Sequence, residues 1–486
     1  MSSKFLLILV ALTTKLMELT EKIDIQRRKI KDGNPNIDLV GPCTIEDGIL
    51  KLSDEEVLQL KSTFKTIQPD LDICFFTPAS GSGSRMFKVF FEYLSEPYPA
   101  DADALCERSI GMLDNLDQLP IRSILANKWI EQLEDGGVYP DELIANLISP
   151  EGLNLSAKPK GLIPFHYYEA KTLNPFQEHL IQSEQIGGAL SKIHFTINKD
   201  FQDEIEDSLA EISTNLAISF SEQDPGTHSV AFDEDLNPAK DNSGNIILRP
   251  SGHGALINNL NQVDSDIILI RNIDNIQHQK KAFKSELYRS ALSAKLIEFR
   301  DEVFNVLSKL SRDHSFESSI KSLNDKYDLK LSEKEMTSPT SAFEALNRPI
   351  RICGMVKNEG EPGGGPFWVK DDHGKVSRQI IEKSQISDRT EDQAMVSKAT
   401  HFNPVELFCS VRDFKGNKFN LLDFVNENQY FLVQKTQDGQ AIQYIEQPGL
   451  WNGAMANWLT LFVEIDSACF SPVKSVLDLL QEAHRG

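Results

Sequence analysis

Residues 76–88, Phe-Thr-Pro-Ala-Ser-Gly-Ser-Gly-Ser-Arg-Met-Phe-Lys, carry an apolar run into a glycine loop and from there into two cations. The run Asp72–Thr77 predicts a strand, ended by Pro78. Gly81 and Gly83 admit positive φ and close approach of a ligand to the backbone. Successive amides in such a loop form a concavity for an anion, and Arg85 and Lys88 supply full charges that the amides only partly offset. The loop therefore suits a polyphosphate. It lacks the Gly-Lys-Ser/Thr ending of a P-loop and the third glycine of a dinucleotide fingerprint, and taken alone it also reads as a surface turn.

Further along, Asp266–Arg271 predicts a second strand, which ends in Asn272-Ile273-Asp274-Asn275. A carboxylate at the end of a parallel strand can hold a divalent cation, but it can also cap backbone N–H groups of a turn. His253 stands between two glycines and either meets a ligand or satisfies a turn; His401, in His-Phe-Asn-Pro, leaves the same choice open. Trp451 and Trp458 read as packing residues, and Cys409 as core. No His-Glu-x-x-His or Gly-x-Ser-x-Gly occurs, so zinc hydrolase and serine hydrolase chemistry fall away.

The elements that must position these groups follow from the rest of the chain. With 486 residues, 40% of them hydrophobic, the protein can bury a large core. A formal net charge of −22 excludes a nucleic-acid or anionic-membrane surface, which would need a basic footprint. Six scattered cysteines without a Cys-x-x-Cys pair read as reduced thiols of a cytoplasmic protein. The apolar segment Phe5–Leu12 is too short to span a bilayer. Helices are predicted over Leu16–Ile30, stopped by Asp32-Gly-Asn-Pro35, and over Asp54–Thr66 behind a Ser53 N-cap. Residues 89–155 read as a helical insertion. Then come helix 172–189, strand 193–197, helix 199–211, strand 215–220, helices over most of 279–325 and strand 350–356. Strands alternating with helices predict a mostly parallel sheet covered on both faces.

In this order the motifs resemble the nucleotidyltransferases that make nucleotide sugars, most closely the UDP-sugar pyrophosphorylases. Ala79–Arg85 is similar to that family's nucleotide-binding loop, with Ser80 in place of a glycine and Ser84 in place of a threonine; the resemblance implies nucleotide contacts from Ala79, Ser80, Gly81, Gly83 and Ser84. Pro159-Lys160 with Leu162-Ile-Pro164 resembles the segment whose lysine reaches the substrate phosphates. Ser219-Phe-Ser-Glu-Gln223 is similar to the strand end whose glutamine reads uracil, and Ser251-Gly252-His253-Gly254 to the turn facing base and ribose. Asn272–Asn275 matches the motif whose aspartate, here Asp274, holds Mg²⁺. Gly363–Gly365 and Ile381–Ile386 look like the sugar-binding loop and Glu-x-x-Gln segment, which implies sugar contacts from Gly364, Gly365 and Glu382, with Asn403 beside them. Phe470-Ser-Pro-Val-Lys474 and Asp478-Leu-Leu480 resemble the C-terminal lysine segment of UDP-glucose pyrophosphorylases. The whole pattern is also similar to an uncharacterised bacterial domain family with no assigned reaction.

The resemblance implies a three-layer α/β/α core of Rossmann-like topology with a mostly parallel mixed sheet. The expected organisation is a helical N-terminal extension (1–69), a nucleotidyltransferase-like core (70–410) and a small C-terminal element (411–486) that returns Lys474 to the site. The implied reaction joins a nucleoside triphosphate, with UTP expected, to a sugar 1-phosphate, with Mg²⁺ as cofactor. Arg85 would hold the leaving pyrophosphate, while Lys160 and Lys474 bracket the other phosphates. Such transfer needs positioning and charge neutralisation rather than a protein nucleophile. Two rivals are a non-catalytic nucleotide-sugar sensor or scaffold and a glycosyltransferase, although the latter usually presents Asp-x-Asp where this chain has Asn-x-Asp-Asn.

Overall fold

The computed structural model describes residues 3–95, 115–134, 140–169, 171–188, 190–310, 316–360, 363–437 and 439–486. Its centre is a sheet whose strands run in the order Ile49–Leu50, Leu459–Glu464, Ile350–Lys357, Glu406–Ser410, Ile267–Arg271, Ile73–Pro78, Lys192–Thr196 and Ala217–Ser221. Every neighbouring pair on this path is parallel except the two made by Glu406–Ser410, which is antiparallel to both of its neighbours. The mixed, mostly parallel sheet expected from the sequence is what the chain builds.

Period-two alternation divides the sheet's side chains between two cores. Ile73, Phe75, Ile193, Phe195, Ile267, Leu269, Ile350 and Ile352 face one side, where they pack with residues of the helices Asp54–Ile67, Pro175–Gly187 and Phe283–Lys309. Cys74, Phe76, Ile268, Ile270, Cys353, Leu407 and Cys409 face the other, against Leu256, Ile257 and Leu260 of the helix Leu256–Gln262. Both faces are covered, which explains why the central strands read as continuous apolar runs while the edge strand Ala217–Ser221 is half exposed.

Local signals place the helices well. Ser53 caps Asp54–Ile67 through a reciprocal box with Glu56, and Asn174 does the same for Pro175–Gly187 with Gln177. The first helix ends at Asp32, before Gly33 at φ +81°, but starts at Ser3 rather than Leu16. The outer segments do not stand apart from the core. Within 1–69, Ile49–Leu50 joins the central sheet and Asp38–Pro42 pairs with Gly365–Lys370; within 411–486, Leu459–Glu464 is an inner strand. Strand partners this far away in sequence leave no local periodic signal. The described parts of 89–155 are helical, and Phe90, Ile121, Leu143 and Leu147 form a third core with Val473, Val476 and Leu479 of the C-terminal strap. Cys43, Cys74, Cys353, Cys409 and Cys469 are buried free thiols, and Cys106 lies outside the described residues. No helix among the described residues is long and apolar enough to cross a membrane.

Candidate active site

The adjacent parallel strands Ile73–Pro78 and Ile267–Arg271 release their loops side by side at their carboxyl ends. The first loop is clamped to the Lys160 segment. Ser82 and Pro159 form an antiparallel bridge, flanked by Gly83 N–H donating to the Lys158 carbonyl at 2.8 Å and Lys160 N–H donating to the Gly81 carbonyl at 3.0 Å. Neither Gly81 nor Gly83 adopts positive φ, contrary to expectation. Gly83 is instead a close-approach residue, since a Cβ there would stand 2.8 Å from the Leu155 carbonyl oxygen; Gly81 meets open space. Ala79 N–H is spent on the Thr196 carbonyl at 2.9 Å, so the exposed stretch Ser80–Ser82 and the exposed Ser84 and Arg85 are what the loop presents to solvent. Lys88 pairs with Glu92 at 3.0 Å.

From this clamp Lys160 reaches the second loop. Its ammonium donates to Asp274 Oδ2 at 2.9 Å and to the Val473 carbonyl at 2.6 Å. Both side chains are mostly buried, 13% and 24% exposed. The flanking Asn275 is a buried clamp: its Oδ1 accepts from Ser471 N–H at 2.9 Å, and Pro472 bridges to its backbone. Beneath the loop, the buried His179 Nε2 donates to the Ile273 carbonyl at 3.1 Å. Burial, reinforced by the Arg271 and Arg289 charges, holds this imidazole well below its ordinary pKa and so in the neutral form. Thus three segments distant in sequence, 159–160, 272–275 and 471–473, meet around the Lys160 ammonium. Lys474 follows at once, but its ammonium lies 5.7 Å over the Phe470 ring, and it is the neighbouring Val473 carbonyl that engages Lys160.

A second group of residues assembles around Gly252 and His253. Gln223 Nε2 lies 3.5 Å from Thr227 Oγ1, and Ser251 Oγ donates to the Thr227 carbonyl, so one turn ties the glutamine to the Gly-His-Gly segment. Gly252 stands at φ +69°, where a Cβ would run into the Glu446 carboxylate. His253 Nδ1 accepts from Leu450 N–H at 3.0 Å, which leaves the proton on Nε2, 3.5 Å from Glu382 Oε1. Trp451 stacks on the His253 ring with centroids 4.1 Å apart. Desolvation, and secondarily the Glu382 charge, raises the Glu446 pKa, while His253, Lys435 and Arg85 oppose the rise. That Arg85 contributes places its charge within electrostatic reach of this group.

The expected sugar side joins here through Glu382. A Cβ on Gly364 would lie 3.5 Å from Glu382 Cγ, and Gly365 pairs with Ile381. Asn403 also comes to this corner, but its side chain is engaged by backbone: Nδ2 donates to the Gly354 carbonyl and Oδ1 accepts from Val405 N–H, both at 3.1 Å. It braces the loop. Sequence reasoning missed Glu446, whose contact with Gly252 leaves no local signal, while Trp451 packs as expected, against the second core, and also stacks on His253.

Asp274 is a single carboxylate, and among the described residues no group of three His, Cys, Asp or Glu side chains could hold a metal. That composition fits Mg²⁺, which is commonly held by one or two carboxylates together with substrate phosphates and water.

Comparison with solved structures returns long, low-identity matches. One is a uridine diphosphate N-acetylglucosamine pyrophosphorylase from Trypanosoma brucei in complex with an inhibitor, at 12% identity and TM-score 0.48, covering 90% of this chain and 72% of that one. A mutant UDP-glucose pyrophosphorylase from Leishmania major gives 12% identity and TM-score 0.42, with 95% and 75% covered. A UDP-glucose phosphorylase from Trypanosoma brucei gives 12% and 0.43, with 94% and 75% covered. No curated protein is matched by sequence. One family model spans nearly the whole chain, residues 10–485, and the protein belongs to that family, DUF4301, described as a domain of unknown function.

Proposed function

We propose that this protein is a nucleotidyltransferase that joins UTP and a sugar 1-phosphate, giving a nucleotide sugar and pyrophosphate. The observation that carries the reading is the meeting of Lys160 and Asp274 at 2.9 Å, beneath a glycine loop that Lys160's own segment clamps. Two polyanions must be brought together in this reaction, and fixed cations beside a metal-binding carboxylate answer that need. Lys160 neutralises charge at the α-phosphate, Arg85 holds the leaving pyrophosphate, and Lys474 stands on the strap beside them. The exposed loop 80–85 receives the triphosphate. Gln223 offers both a donor and an acceptor to the imide edge of uracil. Glu382 and the Gly364 backbone receive the sugar hydroxyls, with His253 Nε2–H steadying the carboxylate. Asp274 would hold Mg²⁺ together with the substrate phosphates, and the ion would supply Lewis-acid neutralisation there.

The test is pyrophosphate release by the purified chain with UTP, Mg²⁺ and a panel of sugar 1-phosphates. Release that depends on one of the sugars is the expected result. Tight uridine-nucleotide binding without turnover on any of them would replace the enzyme with a sensor, and no nucleotide binding would remove both.

A further inference from the structure

In the proposed reaction Lys160 and Asp274 each serve a partner other than the one they have. Lys160 is meant for phosphate and Asp274 for a divalent cation, yet each holds the other at 2.9 Å. A second ammonium proton of Lys160 is committed to the Val473 carbonyl at 2.6 Å, so one of its three donors remains for a ligand. With the side chains 13% and 24% exposed, this pair is shielded from the screening that weakens surface ion pairs. A lone carboxylate is already a poor site for Mg²⁺, which dehydrates reluctantly, and an ammonium on one of its oxygens makes it poorer.

We infer that Lys160 is a resident counter-cation: it keeps Asp274 closed to free divalent cations, and the site accepts a cation only together with a triphosphate. The inference rests on the nucleotidyl-transfer reading. The triphosphate oxygens supply what is missing in both directions, an anionic partner for Lys160 and further oxygen ligands for the cation that Asp274 receives. In both arrangements Lys160 and Asp274 each keep a partner of opposite charge, so neither ion is left uncompensated in a mostly buried place. No covalent bond changes.

Mn²⁺ titrated into the metal-free full-length protein, with free Mn²⁺ read by electron paramagnetic resonance, tests this without any turnover. The parent should bind Mn²⁺ weakly alone. Lys160→Met should bind it about tenfold more tightly or better in the absence of nucleotide, a gain within the usual range of coupling between sites. Lys160→Arg, which keeps the cation, should behave as the parent, and Asp274→Asn placed on Lys160→Met should erase the gain. Equal affinity in folded Lys160→Met and parent overturns the counter-cation role. If that variant does not fold, Lys160→Gln takes its place. The parent alone also decides: a protein that binds Mn²⁺ as tightly without UTP as with it has no closed carboxylate. Failure of UTP to bind in the presence of Mn²⁺ overturns the nucleotidyl-transfer reading instead, while UTP binding with unchanged Lys160→Met metal affinity overturns only the exchange.

Discussion

Asp274 is paired with Lys160 where three chain segments converge, and its replacement separates chemistry from folding. Asp274→Asn keeps size and one acceptor for Lys160 but removes the charge a cation needs, so turnover should vanish while the circular dichroism stays parental, with a fall in the unfolding midpoint because Lys160 loses its counter-ion. Activity within threefold of the parent would exclude Asp274 from the mechanism. Arg85 is exposed on the loop and within electrostatic reach of Glu446. Arg85→Ala should lower kcat/KM by the equivalent of about 3–4 kcal/mol if its guanidinium meets the leaving pyrophosphate in a partly dry site. Steady-state kinetics with varied UTP measures it, and an unchanged kcat/KM would return the loop to a structural turn. Base choice is tested in the same way at Gln223, where calorimetric titration of UTP, CTP, ATP and GTP should show a uridine preference that Gln223→Ala erodes.

The C-terminal strap is the element whose placement matters most, because its Val473 carbonyl holds Lys160. A buried network pins its end to the core. His166 Nδ1 lies 2.7 Å from Glu178 Oε1, His166 Nε2 lies 3.0 Å from His484 Nδ1, and His278 stacks on Tyr168 at 4.2 Å. Desolvation, with His166 and His278 adding to it, holds the His484 pKa down to about 3, against an ordinary 6.5. A base depressed in this way binds fewer protons in the native state than in the unfolded one. Its contribution to stability is therefore complete above pH 6.5 and is lost progressively as the pH falls toward about 3. The urea midpoint should fall between pH 7 and pH 5 by more in the parent than in His484→Phe, and equal falls would remove His484 from the effect. The Gly-His-Gly turn offers a steric counterpart. A Cβ on Gly254 would collide with the carbonyl oxygen of Pro448, which backbone cannot easily withdraw, so Gly254→Ala should cost about 1–3 kcal/mol in denaturant unfolding.

Across the whole molecule, the antiparallel strand Glu406–Ser410 ties the sheet to the long helix Phe283–Lys309 through one carboxylate. Glu406 meets Arg271 at 3.1 Å and Arg289 at 3.0 Å, all three buried. Burial, helped by the Arg289 charge and opposed by Glu406, brings the Arg271 pKa down to about 9. Glu406→Gln would leave two guanidinium groups without a buried counter-ion and should cost about 3–5 kcal/mol, read from the chemical-unfolding midpoint. In the parent, UTP with Mg²⁺ at 100 times its Kd should add about 2.7 kcal/mol of stability, visible as a thermal shift.

Much of the architecture was legible because it is written in short-range patterns. The apolar runs at 73–78 and 267–271, the capping box at Ser53 and the glycine stop after Asp32 all act within a few residues, where sterics and backbone hydrogen bonding decide the outcome. The residue types at the candidate site were legible for a related reason, since glycines, lysines and a strand-end aspartate in a fixed order narrow the chemistry they can perform. What the linear chain could not show is who meets whom. That Lys160 is paired with Asp274 and Val473, that Asn403 braces a loop, that Glu446 sits against Gly252, and that a strand from residues 459–464 lies inside the sheet are contacts between residues tens to hundreds of positions apart. They are set by how two cores pack on opposite faces of one sheet, and side-chain packing of that kind leaves no periodic trace in the order of residues.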